Sequence, residues 1–368
     1  MLEQKPGAVE GIPEESGGHG GVPQDRRHDP TPPVPPMTRP LNLALQGGGA
    51  HGAFTWGVLD ALLEDGRFAI DAISGSSAGA MNAVVLAQGA MEDGAAGARA
   101  ALRRFWTALA ATVPMDVAHH DGQGGVHLAP VARLWLAWSR YMSPAQFNPL
   151  ELNPLRDLLE EQIDFAALRR RSPVRLFVAA THADSGRLRL FGDHELGVDA
   201  LLASGCLPTV FHAPVIDGEA YWDGAYSANP AVFPLLAEGR ARDTLLVLLS
   251  ALEWPPLSGT ETAPAIQARI AEIAFTAAFR REMQALARDR AAARARWWPP
   301  RWAAPVPARL HLIEGGSALE HLAGETRLAV NRRFFETLHE LGRVSAAQWL
   351  ARDADAVGRR DSVDLARF

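Results

Sequence analysis

Leu41-Asn-Leu-Ala-Leu-Gln-Gly-Gly-Gly-Ala-His-Gly52, followed one helix later by Gly75-Ser-Ser-Ala-Gly79, decides how this chain folds. Leu41–Gln46 is a short apolar run ending in glycines, which reads as a buried strand leading into a sharp turn. Ala50–Asp65 then places Phe54, Val58, Leu59, Leu62 and Leu63 on one helical face. Ala69–Ser74 reads as a second strand, and Ser77–Gln88 as a helix of small residues able to pack tightly on a sheet. Strand, helix, strand, helix is the pattern of a parallel sheet flanked by helices. It continues in further strands at Val174–Thr181, Leu188–Phe191, Thr244–Ser250 and Arg309–Glu314, a long Ala- and Arg-rich helix within 261–296, and a helix over Leu328–Leu341.

The same two motifs carry chemistry. Gly47, Gly48 and Gly49 follow a strand and Gly52 opens a helix, so main-chain N–H groups there can face an anion. Ser77 is centred between Gly75 and Gly79 in a G-x-S-x-G string, whose glycines leave room for a serine lifted above the end of a sheet. A hydroxyl nucleophile and an oxyanion-binding turn are two of the three parts of acyl transfer, and the third is a base. Gly47, Gly49 and Gly52 also satisfy G-x-G-x-x-G, which admits a nucleotide-binding protein with Asp71 as the ribose acid. Asp71, however, lies in the first half of the second strand, whereas that acid belongs at its far end. A plain tight turn is the structural alternative for the glycines, and a small-residue helix cap for the serine.

Two kinds of base are available. Tyr221-Trp-Asp223-Gly-Ala-Tyr-Ser-Ala-Asn-Pro230 brings Asp223 to a glycine turn at the end of a short strand, where an aspartate is ordinarily a turn residue. The chain also has 12 histidines, among them His182, His194, His212 and His311. A triad in the order Ser, Asp, His would use Asp217 or Asp243 with His311.

Composition sets the bounds. The 368 residues carry a net charge of −6, without the basic footprint of a nucleic-acid-binding protein. The one cysteine, Cys206, excludes an internal disulfide and a multi-cysteine zinc site. Residues 1–40 are rich in Pro, Gly and charge, with almost no large apolar side chain, and read as a disordered leader without the apolar core of a secretory signal. Met37 is an alternative start. No apolar run of about 18 residues suits a transmembrane helix, and a cytoplasmic location is the default. The expected organisation is the leader, a catalytic domain over 41–350 that includes the helices from about 261, and a tail over 351–368.

Gln46–Gly52, Gly75–Gly79, Ala203-Ser-Gly-Cys-Leu-Pro-Thr-Val-Phe211 and Asp223-Gly-Ala225 occur together and in order. That combination resembles the patatin-like phospholipases, the bacterial branch of the patatin lipid acyl hydrolases, over about Leu41–Pro234. The resemblance implies a three-layer α/β/α fold with a mostly parallel central sheet and a serine–aspartate dyad without histidine. Ser77 would be the nucleophile and Asp223, followed by Gly224, the base; the Gly47–Gly49 turn would supply the oxyanion hole. No metal or cofactor is implied, and the substrate would be a lipid carboxylic ester.

One position departs from the family pattern. His51 stands where the loop commonly carries Arg or Lys, so a permanent charge is replaced by one that titrates near neutrality. A neutral ester or storage polyester then becomes an alternative to phospholipid; the structural alternative is that His51 simply packs or hydrogen-bonds in the first turn. A catalytically idle lipid-binding protein on the same fold is a further alternative. Val131–Tyr141 gathers Leu134, Trp135, Trp138 and Tyr141, and Arg296-Trp-Trp-Pro-Pro-Arg-Trp302 interleaves tryptophan with arginine. Trp297, Trp298 and Trp302 are accordingly the expected peripheral membrane contact, since an indole beside a cation suits the headgroup region. Oligomeric state is not legible.

Overall fold

The computed structural model describes residues 38–112, 118–120, 126–130, 133–134, 141, 143–254, 256, 259, 262–295, 308–319, 322 and 324–368. Of the leader only its end is included, and β1 (Arg39–Leu45) begins inside the stretch read as leader. A turn at Gly49–His51 leads into α1 (Gly52–Asp65), β2 (Phe68–Ser76) and α2 (Ala78–Ala111). A separate two-stranded sheet pairs β3 (Ala118–His120) with β4 (Val126–Leu128). Then follow α3 (Pro144–Phe147), α4 (Pro154–Gln162), α5 (Phe165–Arg171), β5 (Arg175–His182), β6 (Leu188–Gly192), α6 (Val198–Ser204), β7 (Val215–Ile216) and β8 (Glu219–Asp223). The chain continues through α7 (Phe233–Glu238), β9 (Asp243–Leu248), α8 (Ala263–Ala295), β10 (Arg309–Glu314), α9 (Gly316–Leu319) and α10 (Arg332–Arg352).

The main sheet runs β10-β9-β1-β2-β5-β8-β7, with β6 on β5. The strands β10, β9, β1, β2 and β5 are mutually parallel, whereas β6 and β8 pair with β5 antiparallel. All six residues of β9 are buried, as are Leu41–Leu45 of β1, the continuous apolar character of strands covered on both faces. Alternation sorts them into two cores. Leu41, Leu43 and Leu45 pack with Phe54, Val58, Leu59, Phe105, Phe334 and Trp349 from α1, α2 and α10. Ala44, Leu246 and Leu248 pack with Val232, Leu235, Phe279 and Met283 from α7 and α8. The fold is the three-layer α/β/α arrangement with a mostly parallel sheet.

Two helices differ from the sequence reading. α2 does not end near Gln88. Its backbone breaks at Asp93 and Gly94, where Gly94 takes φ 52°, and then resumes as a second helical stretch. α10 starts at Arg332 rather than Leu328 because the Asn331 side chain accepts a hydrogen bond from Phe334 N–H at 3.0 Å, a capping geometry that fixes the first turn. The segment after α10, read as a tail, is packed. Gly358 N–H donates to Asp243, Ser362 meets His311, and the Phe368 ring lies edge-on to Phe279.

α1, α2 and α10 are tied by a buried carboxylate. Asp60 accepts from Arg99 Nε at 2.7 Å and pairs with Arg343. Burial alone would raise its pKa, but hydrogen bonds from His339 and Arg99 and the charges of Arg99 and Arg343 hold it well below the usual carboxylate range. α1 and α10 also cross at backbone contact, since a Cβ on Gly342 would lie 2.0 Å from the Phe54 carbonyl oxygen. Gly342→Ala therefore forces the helices apart and should cost about 2–3 kcal/mol. Urea unfolding that gave the wild-type midpoint would show that this crossing has slack.

Candidate active site

Ser77 and Asp223 meet because β2 and β8 use the same edge of β5. β2 pairs with β5 as far as Ser76 opposite Ala179 and leaves the sheet at Ser77. β8 begins its pairing with β5 at Asp223 opposite Ala180. β6 occupies the other edge of β5 from Phe177 to Thr181, so β8 must take the edge that β2 vacates. The serine and the aspartate, 146 residues apart in sequence, become neighbours one register step apart.

Ser77 sits at the N-terminus of α2 with φ 51° and ψ −123°. A non-glycine residue at positive φ is strained by about 1–3 kcal/mol and persists only where its surroundings fix it. Here they do. Ser77 N–H donates to Ser204 Oγ at 2.9 Å, Ser76 Oγ donates to the Ala228 carbonyl at 2.5 Å, and Gly75 and Gly79 lie in backbone contact. A Cβ on Gly79 would also meet the Leu45 carbonyl at 2.3 Å, which holds the start of α2 against the end of β1.

Asp223 is 3 % exposed. Its carboxylate accepts Ala225 N–H at 2.8 Å, and the Ser77 hydroxyl close beside it also favours the charged form. Burial pushes its pKa up to about 7, against the opposing pull of those two hydrogen bonds. Its backbone is fixed on both sides, its N–H donating to Cys206 O at 2.9 Å and its carbonyl accepting Thr181 Oγ1 at 2.8 Å. Gly224 lies against the Ala179 carbonyl, where a Cβ would approach to 2.2 Å. Cys206, buried and close to the Asp223 charge, is pushed up to about 12 and stays a thiol.

The glycine turn is laid directly on this pair, since a Cβ on Gly47 would come within 2.9 Å of Ser77 Cβ. Gly47 itself is corrected as an oxyanion donor. Its N–H is already given to Asn229 Oδ1 at 2.7 Å, and Asn229 Nδ2 returns a bond to Gly47 O at 3.4 Å. Gly48 and Gly49 N–H donate to no acceptor among the described residues. Gly49 takes φ +58°, and a Cβ there would meet the Arg327 carbonyl at 2.2 Å. Gly52, in the first turn of α1, packs on Ala78. Gln46 secures the turn from below by accepting Leu249 N–H and, at 2.9 Å, Ser250 N–H.

His51 is 4 % exposed, its Nε2 lies 2.8 Å from Thr326 Oγ1, and its ring stands edge-on to Phe334. It packs in the first turn, against Thr326 and Phe334. Asp71 is likewise structural, accepting Arg240 N–H at 2.6 Å and Ala241 N–H at 3.0 Å at the opposite end of β2 from Ser77. That leaves nothing for a ribose acid. Of the triad alternatives, Asp217 is an exposed turn residue at φ 54°. His311 and Asp243 do pair at 3.0 Å, but Asp243 opens β9 level with the beginning of β2, about 20 Å along the sheet from Ser77. His311 is wholly buried, its other nitrogen 2.9 Å from Ser362 Oγ. Burial would raise Asp243, yet His311, Arg309 and Gly358 N–H hold it well below the usual range.

Sequence reasoning gave no role to Ser204 or Asn229, which pin the two halves of the site. Ser204 lies in the Ala203–Phe211 motif, but nothing local marks its contact with Ser77. A cavity of about 240 Å³ between α1, α2 and α10, lined by Trp56, Trp106, Phe335 and His339, touches none of the candidate residues. Trp297, Trp298 and Trp302, with Trp135 and Trp138, lie outside the described residues. Leu134 and Tyr141 are exposed.

A serine on a strand-to-helix elbow, close to a buried carboxylate and beneath a glycine turn, is an arrangement able to perform acyl transfer. Residues 43–236, just over half of the chain, match the patatin-like phospholipase family, and the protein belongs to it. No curated protein sequence matches the chain significantly. Among solved structures it is similar to VipD from Legionella pneumophila at 15 % identity, with a TM-score of 0.35, over 84 % of this chain and 67 % of that one. It is also similar to the type III effector protein ExoU at 16 % identity and a TM-score of 0.34, over 90 % of this chain. The chain spans only 58 % of the length of ExoU. A complex of ExoU with SpcU from Pseudomonas aeruginosa matches at 16 % identity and a TM-score of 0.29, over 84 % of this chain and 53 % of that one.

The raised Asp223 has a thermodynamic consequence. Between the ordinary value of 3.8 and about 7 the folded chain holds a proton that the unfolded chain has released. The contribution of this group to stability is therefore full below 3.8 and is lost as pH rises through 7. Asp223→Asn, which cannot ionise, should raise Tm by several degrees at pH 8.5 and by much less at pH 5; an equal shift at both would mean that burial of charge is not the cause. His311→Ala should cost about 2–4 kcal/mol through its cavity and the unpaired Asp243, leaving turnover per folded molecule within a fewfold of wild type. Loss of turnover in a folded His311→Ala protein would revive the triad.

Proposed function

We propose that the protein is a serine acyl hydrolase that cleaves lipid carboxylic esters through a Ser77–Asp223 dyad and an acyl-enzyme intermediate. The observations that carry this reading are the strained backbone of Ser77 and, beside its hydroxyl, a buried Asp223 whose pKa is raised to about 7. A carboxylate at its ordinary pKa is too weak a base for a serine hydroxyl, and one raised to neutrality is matched to the task.

Ser77 Oγ attacks the ester carbonyl carbon while Asp223 takes its proton. Gly48 and Gly49 N–H hold the oxyanion of the tetrahedral intermediate, each worth about 3–4 kcal/mol of barrier. Asp223 then returns the proton to the departing alcohol or lysolipid, leaving acyl-Ser77. Water attacks the acyl carbon, Asp223 takes the proton from that water, and collapse of the second intermediate releases the carboxylic acid and restores Ser77. Among the described residues no helix is long and apolar enough to cross a membrane, and we assign the work to a cytoplasmic protein that meets its lipid at a surface.

A fluorophosphonate probe should label wild type and fail to label Ser77→Ala. Asp223→Asn should lower kcat on a short-chain p-nitrophenyl ester by at least 10³-fold. With wild type, log kcat/KM should rise with unit slope below pH 7 and flatten above it, because only ionised Asp223 is a base. Labelling that persisted in Ser77→Ala would falsify the assignment, and a profile flat from pH 5.5 to 8 would remove Asp223 as the base.

A further inference from the structure

The first half of α8 is inside out. Of its described side chains none is buried before Thr276. The exposed positions Ala263, Ala265, Ile266, Gln267, Ala268, Ile270, Ala271, Ile273 and Ala274 include no charge, and Ile266, Ile270 and Ile273 are 48 %, 60 % and 49 % exposed. The two charged residues of this stretch turn inward instead. The Arg269 guanidinium lies over the Trp254 ring at 5.2 Å, and Glu272 pairs with Arg327 and accepts Ser250 Oγ at 3.0 Å. A helix in water places charges outward and apolar residues against the protein. Here both assignments are reversed, as suits a helix whose outer neighbour is apolar.

What that neighbour is follows from the rest of the helix. At 100° per residue Ile266, Ile270 and Ile273 form one stripe, and the same stripe continues through Ala277 to Arg281 and Arg288, both exposed. The outer face is thus apolar over its first three turns and cationic beyond. That sequence of side chains fits a bilayer with anionic head groups, with isoleucines entering the acyl boundary and arginines reaching phosphates. A second copy fits worse. Three half-exposed isoleucines offer far less than the roughly 1,000 Å² of a stable interface, and the arginines would face each other or the isoleucines.

The inner face of the same stretch of helix packs beside the candidate site. Phe275, one helical turn from Ala271, packs on Tyr226, three residues after Asp223, with ring centroids 5.2 Å apart. Glu272 holds Arg327, whose carbonyl lies against Gly49. We propose that the N-terminal half of α8 is an interfacial docking helix that seats the protein on an anionic lipid surface, with Ile266, Ile270 and Ile273 inserted and Arg281 and Arg288 on head groups. This rests on the lipid acyl hydrolase reading for its purpose, but not for its test.

Binding is measured with the full chain carrying Ser77→Ala, so that hydrolysis plays no part. Co-sedimentation with vesicles of phosphatidylcholine and phosphatidylglycerol in equal parts is compared with vesicles of phosphatidylcholine alone. The Ser77→Ala protein should bind the mixed vesicles at least tenfold more tightly than the neutral ones. Adding Ile266→Gln, Ile270→Gln and Ile273→Gln should weaken binding to the mixed vesicles at least tenfold, and adding Arg281→Gln and Arg288→Gln should remove the preference for anionic lipid. The triple isoleucine substitution in an otherwise wild-type chain should depress hydrolysis of vesicle lipid at least tenfold while changing hydrolysis of soluble p-nitrophenyl butyrate less than twofold. Unaltered vesicle binding by the triple variant overturns the proposal, as does a dimer in sedimentation that the triple variant dissociates without effect on vesicles. Failure of wild type to hydrolyse any ester would instead count against the dyad and leave the binding result standing.

Discussion

A single strand edge governs this molecule. β5 offers one side to β2 up to Ala179 and hands the same side to β8 from Ala180, because β6 has already claimed the other. A parallel strand arriving from one direction and an antiparallel strand arriving from the other must therefore stop against each other. The residue at which β2 turns off and the residue at which β8 ends are forced into contact, and they are Ser77 and Asp223. Main-chain pairing of the sheet, rather than any preference of the two side chains for one another, brings them together.

The surroundings then tune what the sheet has placed. Asp223 has only Ser77 and Ala225 N–H to offset its loss of water, which is too little to keep its pKa at the ordinary carboxylate value. Asp60 and Asp243 face cations, Asp60 two arginines with a histidine and Asp243 an arginine with a histidine, and they go the opposite way. Three buried aspartates in one protein thus span the range from structural anion to candidate base. The difference lies in the deeper burial of the Asp223 carboxylate together with the cations beside the other two, and no cation pairs with Asp223 among the described residues.

Much of this was legible in the amino-acid sequence, and the gaps have physical reasons. β1, β2, β9 and β10 announced themselves as apolar runs because strands covered on both faces carry few polar positions. Ser77 and Asp223 drew attention because their glycine-bounded turns occur together with the other motifs and in order. α2 was cut short because Glu92-Asp93-Gly94 looks like a helix terminus, and the chain does break there, only to resume. Gly47 was read as an oxyanion donor because a run of glycines cannot reveal which N–H is already spoken for. The answer lay in Asn229, 182 residues away. For His51 a titrating charge and simple packing were both open, and the buried contact with Thr326, 275 residues on, favours packing. Contacts of that range leave no local periodicity or spacing to find.

That same reach in sequence bears on how the site comes into being. The links that hold Ser77 in place run to Ser204 and, through Ser76 and Gly47, to Ala228 and Asn229, spanning 127 to 182 residues. Closing loops of that length is an entropic cost met only when the sheet itself assembles. A partly folded chain can possess both helices and the glycine turn and still lack a nucleophile in working conformation. The Ser77 conformation and the sheet around it are one cooperative event, so a newly made chain does not hold Ser77 in this geometry until the segment carrying Ala228 and Asn229 has docked.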